Sequence, residues 1–205
     1  SKGETSNIGR IGALKSPGSI LCGRTAPGGV ITVVTKQPLA QRQTSIQQEI
    51  GYWSYYRTTL DTTGRLTADD TLLFRVNASY ETTDSFRDFV EDKGTFIAPP
   101  LKFNISPRTW AALEFEYQKF DDTPDPGILP LDGRPANVPR SRVFFEPRSN
   151  VNKGDRQLLG LTWSHAFNDA WSLRHRISAE RFDLKNLTLF SGELQSDGSL
   201  DRFFN

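Results

Sequence analysis

Apolar and polar residues alternate with a period of two along most of the chain after residue 45. That is the repeat of a strand whose two faces meet different surroundings. The even positions Ile46, Gln48, Ile50 and Tyr52 make a first row, and Tyr56, Thr58, Leu60 and Thr62 a second, opposed by Arg57, Thr59, Asp61 and Thr63. "TLLFRVNASYE" is the cleanest segment: Leu72, Phe74, Val76, Ala78 and Tyr80 share one face, and Arg75, Asn77, Ser79 and Glu81 the other. Ile97, Pro99, Leu101 and Phe103 continue the series, although two adjacent prolines weaken any ladder there. Ala111, Leu113, Phe115 and Tyr117 then oppose Glu114, Glu116 and Gln118. Leu159, Leu161, Trp163 and Phe167 follow, and then Trp171, Leu173, Ile177 and Ala179 opposite Arg174, Arg176, Ser178 and Glu180.

Each segment is about ten residues long, the length that a tilted strand needs to cross hydrocarbon. Tyr52, Tyr80, Trp110, Tyr117, Trp163 and Trp171 stand near segment ends, where an interfacial belt would lie. "GRLTADD", "SPR" and "NDA" are short connections, while Thr82–Gly94, Asp121–Asp155 and the stretch from Asp183 are long. Such asymmetry predicts an all-β chain of about seven antiparallel strands, part of a transmembrane barrel. A soluble β-sandwich would show the same alternation, with its apolar face against a second sheet. The mixed charges Arg57, Asp61, Arg75, Glu114, Glu116 and Arg174 suit a wet or plugged lumen better.

Composition adds exclusions. A net charge of +1 gives no basic field for nucleic acid. No run approaches the roughly 18 apolar residues of a membrane helix, but a barrel hides its lipid face in alternation. Cys22 is the sole cysteine, so no internal disulfide forms, and its neighbours Ile20 and Leu21 suggest a small packed residue. His165 and His175 flank a turn and share the apolar face, which suits interfacial packing better than metal binding. No catalytic triad or dyad is evident, so no enzyme is expected. Both ends of the chain look cut.

Residues 1–38 read differently. Pro27, Gly28 and Gly29 make a turn ahead of "VITVV", a short two-sided apolar strand expected to be buried. The glycines open a strand and no P-loop lysine follows, so they do not form a phosphate cradle. Ile8 to Pro38, closing on "GRTAPGGVITVVTKQP", resembles the end of the plug domain of TonB-dependent outer-membrane receptors, in the siderophore-receptor branch. "TTLDTTGRL", "LLFRVNASYE", "DSFRDFV", "FIAPPL", "LEFEYQ", "TPDPGILP" and "PRSRVFFEP" carry the resemblance onward, more weakly after Phe182. Gly9 and Gly12 depart from it, standing where the family carries acids.

The resemblance implies residues 1–40 as the C-terminal part of a plug and 41–205 as the N-terminal portion of a barrel of about 22 strands. It implies a Gram-negative outer membrane, a ferric siderophore as transported ligand, and TonB as partner through a box this chain lacks. It implies neither enzymatic activity nor a resident cofactor. By the same resemblance Arg24 would pair with wall carboxylates, with Glu114 and Glu116 as candidates. Arg140, Arg142, Phe144 and Phe145, in the long loop, are candidate ligand contacts through charge and stacking. The alternatives are an ordinary loop with mutually packed aromatics and, for the whole chain, a passive porin-like channel.

Overall fold

The computed structural model describes residues 4–15, 29–131, 133–147, 150–195 and 197–204. Among them every regular element is a strand. β1 (Ile8–Leu14) and β2 (Val30–Thr35) form an antiparallel hairpin, with Leu14 opposite Val30. Gly29 enters β2 at φ +128°, where an added Cβ would stand 2.5 Å from the Leu14 carbonyl oxygen, so this corner needs glycine. The expected burial of "VITVV" is not seen. Ile31, Val33 and Val34 are exposed, because a lone two-stranded hairpin offers no second layer to cover them.

The main sheet is an antiparallel meander. β3 (Gln43–Ile50), β4 (Tyr56–Arg65) and β5 (Leu72–Asp84) pair in sequence. β6 (Glu91–Ala98) and β7 (Leu101–Ser106) both lie between β5 and β8 (Thr109–Asp122). Pro99 and Pro100 separate them without shifting the register. Ile97 faces Tyr117 and Leu101 faces Leu113, so residues 98–100 oppose residues 114–116 one for one. Eight strands therefore fill seven places. Two small ladders lie outside the sheet: β9 (Pro130–Leu131) with β10 (Arg134–Pro135), and β13 (Leu189–Leu194) with β14 (Leu200–Phe204). β11 (Val151–Ala166) and β12 (Ser172–Leu187) complete the sheet beside β8.

The ladder sorts the side chains as the period-two pattern requires. Leu60, Ala78 and Ile97 lie side by side across three strands, as do Leu113, Leu161 and Ile177. This face has no second layer from the described chain: Ile46 is 71% exposed, Leu161 48% and Ile177 58%. The other face carries the buried Thr63, Asn77, Ser79, Thr162 and Ser164. The outward apolar rows are thus bare, while the covered face holds polar side chains beside Leu73, Phe96, Ala98, Ala112 and Phe120. That arrangement suits a wall between hydrocarbon and a filled lumen.

Two details depart from the sequence pattern. β5, β8, β11 and β12 run 13, 14, 16 and 16 residues, longer than the stretch that alternates. The extensions carry Lys119, Asp121, Lys153, Asp155, Asp183 and Lys185 on the outward face. Backbone pairing continues there because the ladder needs a neighbouring strand and not lipid. Trp110, counted for the interfacial belt, belongs instead to the lumen row of Ala112 and Glu114, with the Lys102 ammonium and the Arg174 guanidinium each 5.4 Å from its ring centre.

Gly154 supplies one packing test. Phe120 lies over it, and a Cβ there would meet Phe120 Cζ and the Asp183 carbonyl oxygen, each at 2.7 Å. Gly154→Ala should cost about 1–3 kcal/mol through forced displacement of ring or ladder. A lowered denaturant midpoint for the complete barrel in detergent would show it; an unchanged midpoint would mean that the ring moves freely.

Candidate functional site

The hairpin sits against the polar face of the wall through side chains. Three polar clusters join them: the first two place opposite charges from both sides in one contact, and the third sets the Asn7 amide against a wall carboxylate. At the first, Arg57 of β4 donates from Nη2 to Glu4 Oε1 at 2.9 Å and from Nη1 to Glu81 Oε2 at 2.6 Å, while Ser79 Oγ donates to Glu4 Oε2 at 2.7 Å. At the second, Asp61 of β4 accepts a two-pronged contact from Arg75, with Nε to Oδ1 at 2.8 Å and Nη2 to Oδ2 at 2.7 Å. Lys36, one residue past β2, donates to the same Asp61 Oδ2 at 2.9 Å. Arg75 also donates to the Gln37 carbonyl at 3.0 Å. At the third, Asn7 Nδ2 donates to Glu116 Oε1 at 2.8 Å, and Arg156 spans Glu116 and Glu180.

Alternation explains the arrangement. Arg57 and Asp61 are two steps of two apart on β4, and Arg75 and Ser79 likewise on β5, so all four point to the lumen. These groups are less than a quarter exposed, and charge-assisted hydrogen bonds strengthen where water is scarce. Burial opposes ionisation of Glu4. The Ser79 hydroxyl, the Ser6 backbone N–H and Arg57 outweigh it and hold the carboxyl below the ordinary glutamate range. A depressed pKa in the folded state contributes stability that is full above the ordinary range and lost as pH falls through the folded value. Docking of the hairpin should therefore be flat in pH near neutrality and weaken below about pH 4. Protease susceptibility of the hairpin, measured across that range, checks it; Glu4→Gln should flatten the profile.

The sequence-predicted residues fall in different places. Arg24 lies outside the described residues. Glu116 meets the hairpin through Asn7, whereas Glu114 pairs within the wall, accepting from Arg176 Nη2 at 2.7 Å. Arg140 and Arg142 are exposed on the long loop, and the Arg140 guanidinium lies 5.3 Å from the ring centre of Phe86. Phe144 and Phe145 are buried. His165 shares a 2.8 Å hydrogen bond with the Thr109 hydroxyl and lies between the Trp163 and Phe167 rings. Among the described residues no group of three or more His, Cys, Asp or Glu is placed to hold a metal ion.

Sequence reasoning missed the tie between the two long loops. Arg87, 5% exposed, makes a two-pronged contact with Asp125 at 2.9 and 3.0 Å, and its Nη1 donates to the Arg140 carbonyl. Both residues stand in stretches that carried the resemblance, "DSFRDFV" and "TPDPGILP". No periodicity connects positions 38 residues apart, so that recurrence of motif was the available signal.

The fold and the docked hairpin together define a segment of an outer-membrane β-barrel with part of a plug against its inner face. No family model matches the chain. It is 32% identical over 195 residues to the metal-pseudopaline receptor CntO of Pseudomonas aeruginosa and 27% identical over 199 residues to the ferrioxamine receptor of Yersinia enterocolitica. These matches cover 95% and 96% of the chain, which spans 28% of either relative. A ferripyoverdine receptor structure from Pseudomonas aeruginosa superposes over 98% of the chain and 27% of its own length, with a TM-score of 0.85 at 21% identity. The ferric-catecholate import receptor Fiu of Escherichia coli gives 0.84 at 23% identity, over 98% of the chain and 34% of its own. Both share the fold. The chain is thus related along nearly its whole length to the TonB-dependent siderophore receptors, proteins of the Gram-negative outer membrane.

Proposed function

We propose that the chain is the end of the plug and the first seven wall strands of a receptor that binds a ferric siderophore outside the cell and admits it to the periplasm. The division we propose falls near residue 40, between the hairpin and β3, within a complete barrel of about 22 strands. TonB would supply the energy, and the ligand would pass chemically unchanged. The observation that carries this reading is the hairpin bound to the lumen face by two ion-pair clusters and the Asn7–Glu116 hydrogen bond. A passive channel has no use for a stopper held in this way. A soluble sandwich would cover the apolar rows that stand bare here.

Iron-limited cells that depend on the complete receptor provide the test. Uptake of iron-55 from a ferric siderophore should require both the receptor and TonB. Uptake that persists without TonB would favour the passive channel, and none under any chelate would defeat the reading.

A further inference from the structure

Most arginines of the lumen face are ion-paired. Among the described residues Arg57, Arg75, Arg156 and Arg176 each reach a carboxylate within 3.3 Å. Lys102 and Arg174 reach none of the described carboxylates; they lie over the Trp110 ring. All three line a cleft of about 500 Å3 between β2 and the wall. Arg176 and Glu114 close one side of it, and Thr32–Thr35 of β2 form the opposite lip. Trp110 and Arg174 lie near the short connections at residues 107–108 and 167–171, the end away from the long loops.

We infer that this cleft is a transit site for an anionic metal chelate on its way out of the lumen, a reading that rests on the function proposed above. The charges fit. Lys102, Arg174 and Arg176 set three cations against the single carboxylate of Glu114, leaving an uncompensated charge of +2. The volume lies within the roughly 300–1,000 Å3 of small-ligand sites. An indole with cations over its ring offers a flat apolar surface beside positive charge, which suits a planar aromatic chelating arm bearing anionic oxygens. The site adjoins the second cluster through Gln37, but Lys102 and Arg174 take no part in the contacts that hold the hairpin.

The complete receptor carrying Lys102→Gln with Arg174→Gln tests this. The probes are an anionic ferric tris-catecholate and a neutral ferric tris-hydroxamate, both with iron-55. Binding at the cell surface without energy should be unchanged. Energised uptake of the tris-catecholate should fall about ten-fold, the effect of losing one or more charge-assisted contacts. The charge-keeping pair Lys102→Arg with Arg174→Lys should restore it, and tris-hydroxamate uptake should not move. Equal loss for both chelates, or a lowered melting temperature with uptake intact, would make the cations structural and overturn the inference. Uptake of the neutral complex alone by the unmodified receptor, or unchanged tris-catecholate uptake in the variant, would overturn it while leaving the proposed function standing. Uptake of neither complex by the unmodified receptor would defeat both.

Discussion

Asp61→Ala should release the hairpin from the wall. Asp61 is the shared anion of Lys36 and Arg75, and it takes three hydrogen bonds between 2.7 and 2.9 Å. Removing it leaves two cations facing each other in a site where Arg75 is 12% exposed. Breaking a buried pair from one side costs about 3–5 kcal/mol, and the partial exposure of Asp61 and Lys36 puts the expected loss near the lower figure. Asp61→Asn should recover part of the loss, since the amide oxygen still accepts from Arg75. The measurement is a denaturant titration of the complete receptor in detergent, with separate probes on hairpin and wall. The hairpin transition should move further than the wall transition, which loses only the Asp61–Arg75 contact. An equal shift of both would mean that Asp61 holds the wall rather than the plug.

Leu161→Arg carries the second large effect. Leu161 lies between Leu113 and Ile177 in the middle of the outward apolar face. An arginine at the bilayer midplane of a barrel costs about 2–4 kcal/mol, and one near the interface about 0–1. Leu187, opposite Val151 at the far end of β12, shares the outward parity and lies beyond the apolar belt. Leu161→Arg should therefore lower folding stability in phospholipid vesicles by several-fold more than Leu187→Arg. Equal costs at the two depths would remove the hydrocarbon from the picture.

Much of the wall was legible because a period of two reports directly on faces. The parity of Leu72 to Tyr80 and of Ala111 to Tyr117 reads straight through to the ladder. Strand length was less legible, because hydrophobic alternation ends at the lipid boundary and backbone pairing does not. Trp110 shows how a positional cue misleads: its place near a strand end suggested the belt, whereas its even parity, shared with Ala112 and Glu114, already assigned it to the lumen. β1 was hidden because "IGRIGAL" has two glycines and no clean alternation, so its pairing with β2 is a tertiary fact. The Glu4, Asn7 and Lys36 contacts join residues up to 109 positions apart, and no local pattern encodes such distances.

The way the hairpin is fastened has a mechanical consequence. Within the wall, strands share continuous backbone ladders, and shearing one loads many hydrogen bonds at once. No backbone ladder joins the hairpin to the wall among the described residues; its ties are single contacts met in chain order at Glu4, Asn7, Lys36 and the Gln37 carbonyl. A pull from the N-terminal side would load these ties one after another, as a zip opens. The hairpin can thus come away contact by contact while the ladders of the wall beside it stay intact.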